Sequence, residues 1–137
     1  MTNLYKALST FAISYVTPVA NLWARIYIGM VFFRSGQAKL GDFEETIEFF
    51  ADDWALPFIS PAPAAYLATA GELILPVLLM LGLFTRIGAL GLLVMAAVIQ
   101  FFVMPLNEHY YWMIILTLLV GQGGSKLSLD HLLLKLK

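Results

Sequence analysis

The chain contains no cysteine among its 137 residues, and only 12% of them are charged. Without thiols it can build no disulfide scaffold, thiol relay or thiolate metal site of its own. The shortage of charge excludes more. Soluble domains carry about 25% charged residues, so half that level argues against a surface that faces water throughout. A net charge of −1 leaves no basic footprint for nucleic acid. His109 and His131 stand in no HxxxH or HxxE spacing, so no metal site is expected. Gly121–Gly124 follows an apolar run and opens no Rossmann-type unit, which removes the usual nucleotide loop.

What the chain has instead is apolar sequence, 61% of it, arranged in long runs. Runs of roughly 18 or more apolar residues with few charges cross bilayers as helices. Spans are expected at about 18–36, 62–83, 86–104 and 109–121. The last is short, which local thinning of the bilayer or extension into its flanks would accommodate. The expectation is therefore an all-α, polytopic membrane protein, a four-helix transmembrane bundle forming a single domain over 1–137.

Three other segments read as amphipathic interfacial helices, at about 3–16, 42–55 and 128–136. In the first, Leu4, Leu8, Phe11 and Tyr15 recur at helical spacing, opposite Thr2, Asn3, Lys6, Ser9 and Thr10. Cleavage as a signal peptide is not expected, because no small-x-small site follows. The second lies in the one sizeable loop, residues 37–61. Phe43, Ile47, Phe50 and Trp54 form its apolar side, while Asp42, Glu44, Glu45, Glu48, Asp52 and Asp53 cover the rest. Such a helix is either a lid over the bundle mouth or a docking surface for a basic partner. Ser128 is the expected N-cap of the third.

Lys6, Arg86, Lys126, Lys135 and Lys137 fall on one side of these spans. Arg34 and Lys39 fall on the other, beside six acids. The positive-inside rule then puts both termini in the cytoplasm of a multi-pass protein of the cell (inner) membrane.

An ionisable side chain inside a span costs about 2.5–3.5 kcal/mol on insertion scales, so each one needs a partner or a role. Glu72 lies near the middle of the second span. Arg25 lies about 10 Å inside the first at 1.5 Å per residue, and a Glu72–Arg25 ion pair is expected. Pro76 has no amide hydrogen for the carbonyl of Glu72, which adds a free acceptor at the same depth. Gly29 and Gly36 form a thin stripe for close helix approach. A second polar group, Arg34, Gln37, Lys39, Gln100, Asn107, Glu108 and His109, gathers toward the outer face. It consists either of boundary residues reaching into head groups or of the mouth of the same cavity, with His109 available for proton exchange. The candidate ligand-binding residues are thus Arg25, Glu72, Arg34, Gln100, Lys39, Asn107 and His109. No catalytic residue is assigned.

Taken in order, Arg25…Gly29…Phe33-x-Ser35-Gly36-x-x-Lys39, then Glu72 and Gly82-Leu83-Phe84-Thr85-Arg86, then Gly121-x-Gly123…Leu127-Ser128-Leu129-Asp130, resemble the DoxX-like family. Gln122 stands where relatives often carry proline. The resemblance implies a small four-span protein serving as the membrane subunit of a redox assembly, with quinone as the cofactor it admits. The resulting expectation is a membrane subunit of a redox-linked complex that binds a quinone or similar amphiphile at an intramembrane Arg/Glu site. Its partners would be the lipid bilayer, a soluble or membrane redox protein, and further copies of the chain. The alternatives are a small-solute or lipid carrier using Glu72, and a non-catalytic anchor recruiting a partner through the acidic loop.

Overall fold

A computed structural model describes residues 2–136; Lys137, counted in the charge argument, and the side chain of Thr2 lie outside the described part. The described chain is helical: α1 (Thr2–Phe11), α2 (Thr17–Gly41), α3 (Phe43–Asp52), α4 (Pro61–Leu81), α5 (Thr85–Val98), α6 (Asn107–Gln122) and α7 (Leu129–Lys135). Ile28 and Phe32 of α2, Leu79 of α4, Ala89, Leu92 and Ala96 of α5, and Leu116 and Leu119 of α6 share one buried core. Their outward-facing neighbours are large and apolar, with Trp23, Leu67, Ile74, Ile87, Val94 and Ile114 all exposed. An apolar exterior around an apolar core is the arrangement lipid requires. Three helical stretches, Asn3–Gly41, Pro61–Leu81 and Thr85–Val103, are long and apolar enough to cross a membrane. The fourth helix of the core, α6, has 16 residues.

The first expected boundary is not a break. α1 passes into α2 through a π-helical turn, Ala12–Val16. Pro18 lacks the amide that would continue the ladder and its ring crowds the preceding turn. The helix widens there instead of stopping, with the Thr17 amide and hydroxyl both donating to the Ala12 carbonyl. A second π turn, Ile99–Val103, extends α5. Met104 then leaves the helix in an extended conformation, as the residue before Pro105 should.

The loop expected from residue 37 begins only after Gly41, because α2 runs one turn further. Asp42 then caps α3 by accepting from the Glu45 amide at 3.0 Å. The apolar side of α3 folds down on α4: Phe50 is buried with Ala64 and Ala65, and Phe43, Ile47 and Trp54 pack around them. The acids point away and are exposed. α4 ends at Gly82, whose left-handed backbone (φ 70) lets its own amide and that of Leu83 return to carbonyls of the last turn. Any side chain there would strike the Arg25 guanidinium and Ser128.

Candidate functional site

The candidate residues fall into separate clusters, and the expected Glu72–Arg25 ion pair does not exist. Glu72 pairs with Lys39, whose Nζ donates to Oε2 at 2.7 Å. α2 and α4 run antiparallel, and the contacts of the glycines give the register. A side chain at Gly29 would meet Pro76 and Met80, and one at Gly36 would meet Glu72 and Leu73. Arg25 is eleven residues from Gly36, about 16 Å of helical rise, and lies beside Leu79 and Met80. Lys39 is less than one turn beyond Gly36. It reaches Glu72 because α2 stays helical through Gly41. The carbonyl released by Pro76 belongs to the stretch of α4 backbone that Gly36 packs against.

Both residues of the pair are withdrawn from solvent, with 13% of the Lys39 side chain and 2% of that of Glu72 exposed. Lys39 also donates to Ser35 Oγ at 2.9 Å, one helical turn back, and its ammonium lies 5.6 Å from the centre of the Trp54 ring. The Ser35 hydroxyl stands close to the same carboxylate. Glu72 accepts a hydrogen bond at Oε2, whereas Oε1 accepts none from the described residues.

Glu72, the carboxylate of this pair, borders a cleft of about 300 Å³. Its walls are Phe50 of α3, Trp54, Leu56, Phe58 and Ile59 of the following loop, Ala64, Leu67, Ala68 and Glu72 of α4, and Val94, Met95 and Val98 of α5. Ile99 and Val103 of the π turn close one end. Apart from Glu72 the lining is apolar or aromatic. Leu67 and Val94 at the rim are 66% and 55% exposed, so the mouth is on the flank of the bundle, between α4 and α5.

Gln100 and His109 form a second cluster. The π turn directs Gln100 inward, where Oε1 accepts from the Leu106 amide at 3.0 Å and lies 2.9 Å from His109 Nδ1. Because the Leu106 amide can only donate, the atom facing His109 is the oxygen, and Nδ1 carries the hydrogen. His109, expected among the boundary residues near the outer face, is instead within α6, 3% exposed, with its ring tilted against that of Trp112 at 4.9 Å between centres. The turn is confined to Met104–Leu106. Arg34 and Asn107 are exposed and join neither cluster; Arg34 borders a shallow groove with Trp23 and Tyr27 on the outside of α2.

Arg25 is fully buried in a third cluster at the opposite end of the bundle. Nε donates to Asn21 Oδ1 at 3.1 Å, Nη1 to the Leu79 and Met80 carbonyls, and Nη2 to the Leu127 carbonyl. A cation at the end of α4 suits both the unpaired carbonyls and the helix dipole. Asn21 continues the network to Gln122 and the Gly123 carbonyl. Asp130, from the tail, accepts from the Phe84 and Thr85 amides at 2.8 and 2.9 Å and from the Thr85 hydroxyl at 2.7 Å. It therefore caps α5 from outside that helix. Burial pushes the Asp130 carboxyl up, but the hydrogen bonds from Thr85 and Phe84 and the charge of Arg25 outweigh it and leave it below the ordinary aspartate value.

Ser35, Asn21 and Asp130 were not assigned roles from sequence. Two carried a readable signal: Ser35 and Lys39, like Asn21 and Arg25, are four apart and share a helical face. Asp130 stands in the tail segment that carries the family resemblance, but no local pattern points to its capping role, since only the tail's return brings it to Thr85.

No curated protein and no solved structure matches the chain. The family model described as DoxX matches residues 20–105, a segment holding Arg25, Lys39, Glu72 and the cleft walls but not the tail that docks on Arg25. With that match covering more than half of the chain, from α2 through α5 and the walls of the cleft, the protein belongs to the DoxX family.

Proposed function

We propose that this DoxX protein is a single-domain, four-span subunit of a redox-linked membrane assembly, and that it binds the head of a quinone or similar amphiphile in the cleft beside Lys39 and Glu72. The observation carrying this reading is a buried ion pair that ends in an otherwise apolar cleft whose mouth is rimmed by exposed Leu67 and Val94. Ligand pockets run from roughly 300 to 1,000 Å³, mostly apolar with a few placed polar groups. At about 300 Å³ the cleft suits a head group, with a chain left to lie among lipids. A carrier would need a polar route between two faces. The polar side chains instead fall into clusters at opposite ends of the bundle, which favours binding over conduction. α6 would supply the fourth crossing. Both termini lie on the cytoplasmic side of the inner membrane in this reading, which the lysines and Arg86 around the docked tail support.

The test is titration of the purified protein in nanodiscs with a short-chain quinone, oxidised and reduced, read by tryptophan fluorescence. At least one redox form should quench Trp54 saturably, and Ala68→Phe, which fills the cleft, should weaken binding about tenfold or more. Absence of saturable binding by either form would end this reading.

A further inference from the structure

The two oxygens of Glu72 are not equivalent. Oε2 is held by Lys39, and the Ser35 hydroxyl stands close to the carboxylate, while among the described residues none places a donor in hydrogen-bonding geometry on Oε1, although Glu72 lines the cleft. An ionised carboxylate has about four acceptor positions and no donor. The nearest cation cannot turn to serve a ligand without leaving its partners. Lys39 is committed to Glu72, to Ser35 and to the face of the Trp54 ring. What the cleft offers a polar ligand atom is therefore chiefly an acceptor.

Charge balance narrows the chemistry further. Lys39 already neutralises Glu72, so a second cation would bring uncompensated charge into apolar surroundings, at a large desolvation cost. An anion or a bare carbonyl would meet the lone pairs of Oε1. A neutral hydroxyl group fits both conditions, because it donates one hydrogen bond and carries no charge.

We infer that the cleft selects a neutral amphiphile bearing a hydroxyl group, which donates to Glu72 Oε1 while its apolar body lies among Phe50, Trp54, Leu67 and Val94. Among quinone-like ligands this is the reduced, hydroxyl-bearing form. The inference rests on the reading of the cleft as a binding site, and the experiment separates the two.

The probes are 4-nonylphenol and its methyl ether, which share chain and ring and differ in the donor. Each is titrated into the wild-type protein in nanodiscs, with the cleft-filled Ala68→Phe variant run in parallel to subtract partition into lipid. Specific binding of the phenol should exceed that of the ether by about tenfold or more, the range expected for a hydrogen bond to a charged acceptor. Glu72→Gln, checked for retained helicity, should shrink that ratio. Equal, Ala68-sensitive binding of both probes would keep the cleft as a site and overturn the hydroxyl preference. Binding of neither probe would overturn the cleft reading and the preference with it.

Discussion

Lys39 and Glu72 each leave a buried charge behind when the other is removed. Breaking such a pair from one side costs roughly 3–5 kcal/mol, much of it the penalty on the orphaned partner. Lys39→Met and Glu72→Gln should therefore each lower thermal stability in detergent, and the double variant should lose less than the sum. A coupling energy of about 1 kcal/mol or more is expected between groups in contact. Arg25→Leu combined with Glu72→Gln is the control. Those sites face different stretches of α4 and share no partner, so their losses should add to within about 0.5 kcal/mol. Depth along separate spans brings Glu72 and Arg25 to similar levels and suggests that they pair. Which cation lies opposite a carboxylate depends on the register of two packed helices, and no count within one helix contains it. Gly36, by contrast, was legible: a residue without a side chain in an apolar run marks a close approach, and it is the neighbour of Glu72.

The ends of α4 and α5 show the same division among elements. Gly82 terminates α4 in a left-handed conformation and is packed under Arg25 and Ser128. Gly82→Ala should cost about 1–2 kcal/mol from the backbone alone, with the clash adding to it, measured as a fall in Tm. Asp130 caps α5 across 45 residues of sequence. Its carboxyl lies below the ordinary aspartate value when folded, so its stabilising effect is fully present above that ordinary value of about 3.9. It is lost as the pH falls through the lower folded value. Below about pH 4 the wild type should begin to loosen its tail, seen as lower protection of the Phe84 and Thr85 amides. Asp130→Asn should show a flatter acid dependence and a lower Tm at neutral pH. Ser128 at the start of α7 was visible from its position before a leucine-rich run, and it does accept from the His131 amide. Asp130 as the cap of a different helix was not visible, because capping in trans leaves no local pattern.

For the molecule as a whole, the absence of cysteine makes sidedness testable with single introduced thiols. Glu48 is exposed on α3 and Lys126 is exposed in the docked tail. If both termini are cytoplasmic, as proposed above, Glu48→Cys should react with a membrane-impermeant maleimide on intact spheroplasts, and Lys126→Cys only after permeabilisation. The reverse pattern would invert the topology. The low charge and long apolar runs determined a helical protein suited to lipid, because backbone polar groups have no water to bond there and must pair within each segment. The same runs located the helices of the core, and the spacing of Phe43, Ile47, Phe50 and Trp54 located the helix that covers one side of α4. Only the tertiary structure decided which side chains stand together at the proposed binding cleft. It carried α2 one turn further than the apolar run suggested, set Lys39 rather than Arg25 against Glu72, and walled the cleft with Phe50 of α3 and Trp54 just beyond it. Those outcomes depend on antiparallel register and on long-range return of the chain, which apolar periodicity along a single helix does not encode.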